Sequence, residues 1–227
     1  MKIKVLILLG CILSFTVRGQ QSEVRSVGSF KGIKSAEAID VYLKKGDKES
    51  VKVEATGTSL SNVITENAGS YLRIHMRDGN YHGKREVKVY VTYVELDKIG
   101  ASSASNIFSE GAIKTNIMEV HASSAANIEI SLEAGDVQVD VSSAGDIILE
   151  GKAKSINAEA SSAGELDAYN LAVETAEASA SSAGSIKLNV SQGLNAHASS
   201  GGSIRYRGNP AKTNTDSSSG GSVKRSN

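Results

Sequence analysis

The sequence predicts an all-β protein, a right-handed parallel β-helix (β-solenoid) with coils of about 19–20 residues. Two observations carry this reading. A Ser-Ser-Ala-Gly element recurs seven times at nearly constant spacing, and apolar and polar residues alternate with period two around each copy. Composition supplies a third. Aromatic residues make up 4% of the 227-residue chain, Trp is absent, and Gly reaches 22 against a single Pro. A core drawn from such a chain has to be thin and rich in Ala, Val and Ile.

Residues 1–19 read as a signal peptide. Lys2 and Lys4 make a charged start, Val5 to Val17 is almost uninterruptedly apolar, and Gly19 precedes Gln20 and Gln21 as a cleavage region. The apolar run falls short of the roughly 20 residues of a membrane span. Leu8-Leu9-Gly10-Cys11 has the outline of a lipoprotein signal, but the residues after Cys11 stay apolar, so cleavage near residue 20 is expected. Cys11 is the only cysteine, so disulfides are not expected in the mature chain. The protein is expected to be exported, to the periplasm, the outer-membrane surface or the medium. Beyond residue 19 there are 22 basic against 25 acidic residues, a net of −3, with no run of Lys or Arg. That argues against nucleic acid as the partner.

Residues 20–98 form an N-terminal β region, either less regular coils or a separate β subdomain. Ile39 to Leu43 and Val51 to Ala55 flank the turn Lys45-Gly46-Asp47. Tyr71 to Ile74 and Val87 to Val91 alternate, with Gly69-Ser70 and Asp78-Gly79-Asn80 as punctuation. Near Asp97 to Gly100 the composition shifts, and residues 99–227 form the repeat solenoid.

The repeats begin at Ser102, Ser123, Ser142, Ser161, Ser181, Ser199 and Ser218. Each is followed by an aliphatic residue in fixed register: Ile107, Ile128, Ile147, Leu166, Ile186, Ile204 and Val223. Before each repeat run two apolar columns, headed by Ala101 and Ile99. Between these lies a polar column of Gly100, His121, Asp140, Glu159, Ser179, His197 and Asp216. A repeat this short has no room for two helices, so each is one coil, stacked on the next at the ~4.8 Å strand spacing. The glycines Gly145, Gly164, Gly184, Gly202 and Gly221 are expected to be structural corners, permitting positive φ while Ser and Ala take little space. Stacked serines are expected to bond to the corners above and below.

These residues resemble the putative auto-transporter adhesin, head GIN domain family, whose members are exported Bacteroidetes proteins. The resemblance runs from about Val27 to the C-terminus. It is carried by Phe30-Lys31-Gly32-Ile33, Ile39-Asp40-Val41-Tyr42-Leu43, Asn106-Ile107, Asn127-Ile128, the stretch Gly201 to Pro210, and Gly220-Gly221-Ser222. It implies a parallel β-helix at the cell envelope.

No catalytic, cofactor or metal residues are expected. A serine nucleophile needs an adjacent base, and these serines are repeated with no His and acid placed to activate one. His121, Asp140 and Glu159 would stack on consecutive coils, yet metal binding needs more ligands converging from one direction. A solvated outer face explains them. His75 and His82 lack ligand spacing. Glycoside hydrolysis needs a positioned carboxylate pair, and none is singled out. Tyr42, Tyr71, Tyr81, Tyr90 and Tyr93 are the one aromatic concentration. The expected function is a non-catalytic, adhesin-like binding module with an envelope or host glycan or protein as ligand. A polysaccharide-active β-helix enzyme and a purely structural envelope protein are the alternatives.

Overall fold

A computed structural model describes residues 20–81 and 83–226. The expected signal peptide with Cys11, and His82, lie outside the described residues. The described residues form sixteen strands: β1 (Gln21–Arg25), β2 (Gly32–Ser35), β3 (Asp40–Lys45), β4 (Ser50–Thr56), β5 (Val63–Ala68), β6 (Tyr71–Met76), β7 (Glu86–Tyr93), β8 (Lys98–Ala101), β9 (Asn106–Ala122), β10 (Asn127–Val141), β11 (Asp146–Ala160), β12 (Glu165–Ala180), β13 (Ser185–Ala198), β14 (Ser203–Arg207), β15 (Lys212–Ser217) and β16 (Ser222–Arg225). A single 3₁₀ turn, Leu60–Asn62, interrupts them among the described residues.

From β9 onward the pairing is parallel and each coil lies on the next. The aliphatic residue after each corner falls into one inward column with Val41: Ile107, Ile128, Ile147, Leu166, Ile186, Ile204 and Val223 pair rung by rung. All but Val223 are fully buried. Facing them is a column that shrinks along the chain, from Ile33 and Ile99 through Val120 and Val139 to Ala158, Ala178 and Ala196. The alternation seen in sequence is thus the inside and outside of a pleated coil wall.

The N-terminal strands join the same sheet and the same core, but not in sequence order. β2 lies between β6 and β8, and β3 between β7 and β9. β4 then pairs antiparallel with β7, and β5 with β6, and β1 closes the end antiparallel to β4. Arg25 fastens this end, its guanidinium donating to Val63 O at 2.6 Å and Leu60 O at 2.8 Å.

The corners differ from expectation in mechanism. Positive φ falls on the second serine and the alanine, as at Ser162 (49°) and Ala163 (60°), while Gly145, Gly164, Gly184, Gly202 and Gly221 are outside that region. Two consecutive left-handed residues, closed by Gly164 N donating to Ser161 O at 2.8 Å, make a type I′ turn. Glycine is there for space. A Cβ on Gly164 would stand 2.6 Å from the Val141 carbonyl oxygen of the preceding coil. The ladder between corners runs mainly through the main chain: Ala163 N donates to Ser182 O, and Ala144 N to Ser162 O, each at 3.1 Å, while a corner serine hydroxyl, that of buried Ser105, donates to Ser35 O at 3.0 Å. One corner lacks the serine signature altogether. Glu37 (69°) and Ala38 (58°) make the turn between β2 and β3, and Ala38 N donates to Ser103 O at 3.0 Å.

Candidate functional site

Each long strand ends in a segment whose outward residues form two exposed columns. The polar column of Gly100, His121, Asp140, Glu159, Ser179, His197 and Asp216 stacks rung on rung, extended beyond Gly100 by Lys34 and Arg73. Beside it run Tyr71, Gly32, Lys98, Glu119, Gln138, Asn157, Glu177, Asn195 and Asn214. The result is a flat wall of amides, carboxylates and imidazoles, one rung per coil. Period-two alternation makes it: Ile99, Val120, Val139 and their successors point inward, so their neighbours must point out.

Charge is unevenly spread on this wall. Arg73, Lys34 and Lys98 lie toward the N-terminal end, whereas Glu119, Asp140 and Glu159 follow. Lys98 Nζ is 2.6 Å from Glu119 Oε1, and the hydrogen bond and the charge of Glu119 hold the Lys98 ammonium above its ordinary pKa. His121 Nδ1 lies 3.7 Å from Asp140 Oδ1, and His197 Nδ1 3.0 Å from Asp216 Oδ2. Each pair is a rung-to-rung contact between exposed groups. Among the described residues no cluster of three or more His, Cys, Asp or Glu side chains could hold a metal ion.

At Gly100 the wall is hollowed. An open depression of about 550 Å³ is bordered by Tyr71, Lys34 and Lys98 on one side and by Glu119, His121, Gln138, Asp140, Asn157 and Glu159 on the other. Tyr71 lies on the backbone of Gly32, where a Cβ would meet its ring at 2.6 Å. Lys34 Nζ stands 4.4 Å from the centre of that ring, within the range of a cation–π contact. The sequence pointed to Gly100, His121, Asp140 and Glu159 as one column and to Tyr71 as part of an aromatic concentration, but it did not place Tyr71 beside that column, and Lys34 and Lys98 went unnoticed. Lys34 and Tyr71 come from β2 and β6, which stack out of sequence order, so no spacing in the chain pointed to their place, whereas Lys98 follows the same alternation as Gly100.

The remaining aromatic residues are placed otherwise. Tyr42 stacks between Tyr90 and Phe108 on the first half of the coils, with ring centres 5.2 and 5.4 Å apart. Both faces of the Tyr42 ring are covered in this stack. Tyr93 is buried, and Tyr81 packs against the edge of the core. The corner glycines stack along one edge of the solenoid and do not line the depression, which reaches that edge at the corner serines Ser102 and Ser123.

The architecture is shared with solved structures of low sequence identity. A putative adhesin from Bacteroides fragilis NCTC 9343 superposes with a TM-score of 0.83 at 19% identity, covering 92% of this chain and 98% of that one. A putative adhesin from Parabacteroides merdae ATCC 43184 gives 0.74 at 16% identity, over 92% and 96%. A putative lipid binding protein from Parabacteroides distasonis ATCC 8503 gives 0.70 at 18%, over 92% and 97%. No protein of curated function matches the sequence. The family model described as putative auto-transporter adhesin, head GIN domain, matches residues 29–210. The chain belongs to that family.

Proposed function

We propose that the protein is a non-catalytic, exported binding module of the cell envelope or surface, adhesin-like, which holds a glycan along the polar wall. The observation that carries this reading is the wall itself: two columns of mostly hydrogen-bonding side chains, interrupted at Gly100 and Gly32, on a stacked sheet. Amides and carboxylates repeated at one coil per rung suit a ligand with repeated hydroxyl groups. The family description supports a surface role. A neighbour's name speaks of lipid, but the interior here is filled by side chains such as Ile107, Leu132, Ile147 and Leu188, all at 0% exposure. An acyl chain would have to lie outside the coils.

A glycan array followed by calorimetry tests this. Binding is expected, and the pair Gln138→Arg with Asn157→Arg should abolish it, while Lys44→Ala on the opposite half of the coil should not. Turnover of a polysaccharide, lost on replacing one carboxylate, would overturn the non-catalytic reading.

A further inference from the structure

Gly100 is a glycine that the fold does not require. Its φ is not in the left-handed region, and a Cβ there would make only ordinary contacts, with Lys34 Cγ at 3.5 Å and Ile33 O at 3.8 Å. The corner glycines, by contrast, abut backbone at 2.2 to 2.8 Å. Glycine inside a strand costs stability and packs nothing, so an unforced one marks a place where something approaches the backbone closely. On either side of Gly100 the column carries full side chains, Lys34 and His121. Their separation opens the depression.

The charges around it are specific. Lys98 is neutralised by Glu119 at 2.6 Å. Lys34 forms no ion pair among the described residues; it is exposed and is held beside the Tyr71 ring. The far side of the depression carries Asp140 and Glu159, beyond Glu119 whose charge Lys98 already balances. A ligand therefore meets one uncompensated cation, and beyond it acceptors that favour hydroxyl donors and repel a second anion.

Building on the glycan reading of this wall, we propose that the depression takes a saccharide unit bearing a single carboxylate, which pairs with Lys34 while the ring lies over Gly100. The ring hydroxyls donate to Glu119 and Asp140 and exchange hydrogen bonds with Gln138 and Asn157. A polyanionic chain is disfavoured by the same acidic groups.

Calorimetry with 3′-sialyllactose and aldotetraouronic acid, each beside its methyl ester, and with lactose and polygalacturonate, tests the proposal. At least one monoacidic probe should bind about tenfold more tightly than its methyl ester, as a charge-assisted hydrogen bond implies. Lys34→Ala should remove that difference without weakening the ester. Gly100→Gln, which the backbone accommodates, should block both, and Lys44→Ala should change neither. Equal affinity for acid and ester, discrimination that survives Lys34→Ala, or tighter binding of polygalacturonate would overturn the proposal while leaving the glycan wall intact. Failure of every saccharide on an array to bind would instead overturn the functional reading beneath it.

Discussion

The two ends of the solenoid solve the problem of termination differently. At the N-terminal end, antiparallel strands β1, β4 and β5 lie over the first coils, large side chains such as Ile33, Leu72, Ile74 and Met76 fill the interior, and Arg25 ties the cap together. At the other end no strand among the described residues turns back. The last strands stay parallel, and β15 reads Lys-Thr-Asn-Thr-Asp-Ser with every residue exposed. Thr213, Thr215 and Ser217 occupy the rungs that Leu194, Ala196 and Ala198 fill one coil earlier. One end is capped by covering the core and the other by making the last coil polar, as terminal repeats of stacked proteins need to be.

Between these ends the molecule tapers. One wall keeps its aliphatic column throughout, while the opposite one falls from Ile to Val to Ala. The corner tightens in step. Its glycine position is occupied by Ile39, Ser105 and Ala126 in the first coils, and by glycine from Gly145 onward. The distance from a Cβ at that glycine to the carbonyl beneath falls steadily: 2.8 Å at Gly145, 2.6 Å at Gly164, 2.4 Å at Gly184, 2.3 Å at Gly202 and 2.2 Å at Gly221. Small residues in one wall thus draw the chain inward and leave the corner no room for a side chain.

The contrast between firm middle and polar end can be broken most directly in the aliphatic column. Ile147→Ala, at a fully buried site between Ile128 and Leu166, is expected to cost about 2–5 kcal/mol in urea melts. Ile204→Ala should cost less than half of that, because only the half-buried Val223 lies beyond it. Equal losses would show the last coil to be packed as tightly as the middle.

The taper itself is tested at the corners. Gly184→Ala should destabilise by about 1–3 kcal/mol, as overpacking against fixed backbone does, and Gly145→Ala by clearly less. Identical midpoints would remove the gradient. Gly164→Val should likewise far exceed Glu159→Gln, an exposed change expected within about 0.5 kcal/mol. The left-handed alanines offer the opposite sign. Ala163→Gly should stabilise by about 1 kcal/mol by relieving the cost of a side chain at φ 60°. Gly201 and Gly220 already occupy that position in the last two corners.

A smaller, pH-dependent effect separates the acidic middle coils from the neutral end, where Ser185, Ser203 and Ser222 continue the Asp146 column. Burial, reinforced by the charge of Glu165, holds the Asp146 carboxyl above its ordinary 3.8. An acid raised in the folded state favours folding in its protonated form, so its contribution is best below 3.8 and declines as pH rises through the raised value. Asp146→Asn should therefore raise the urea midpoint at neutral pH, and the gain should vanish in acid. A gain that persisted below pH 3 would assign it to packing instead.

The sequence by itself determined the coil. Seven copies of one motif with period-two flanks leave a stacked β wall as the physical solution, and the inward and outward columns around Ile128 or Asp140 can be written down from spacing alone. It did not determine how the corner is made. Serine and alanine are rare in the left-handed region, so the glycine beside them drew the inference, although backbone crowding is what selects it. Tertiary structure also decided the order of the first coils. The Glu37-Ala38 corner carries no serine signature, and β2 and β3 are inserted between layers that come later in the chain. Register between such strands is set by which apolar faces meet, a long-range choice that no local pattern encodes. The depression inherits that dependence: Gly100 and His121 come from the repeats, but Lys34 and Tyr71 reach it only because the early strands fold back against them.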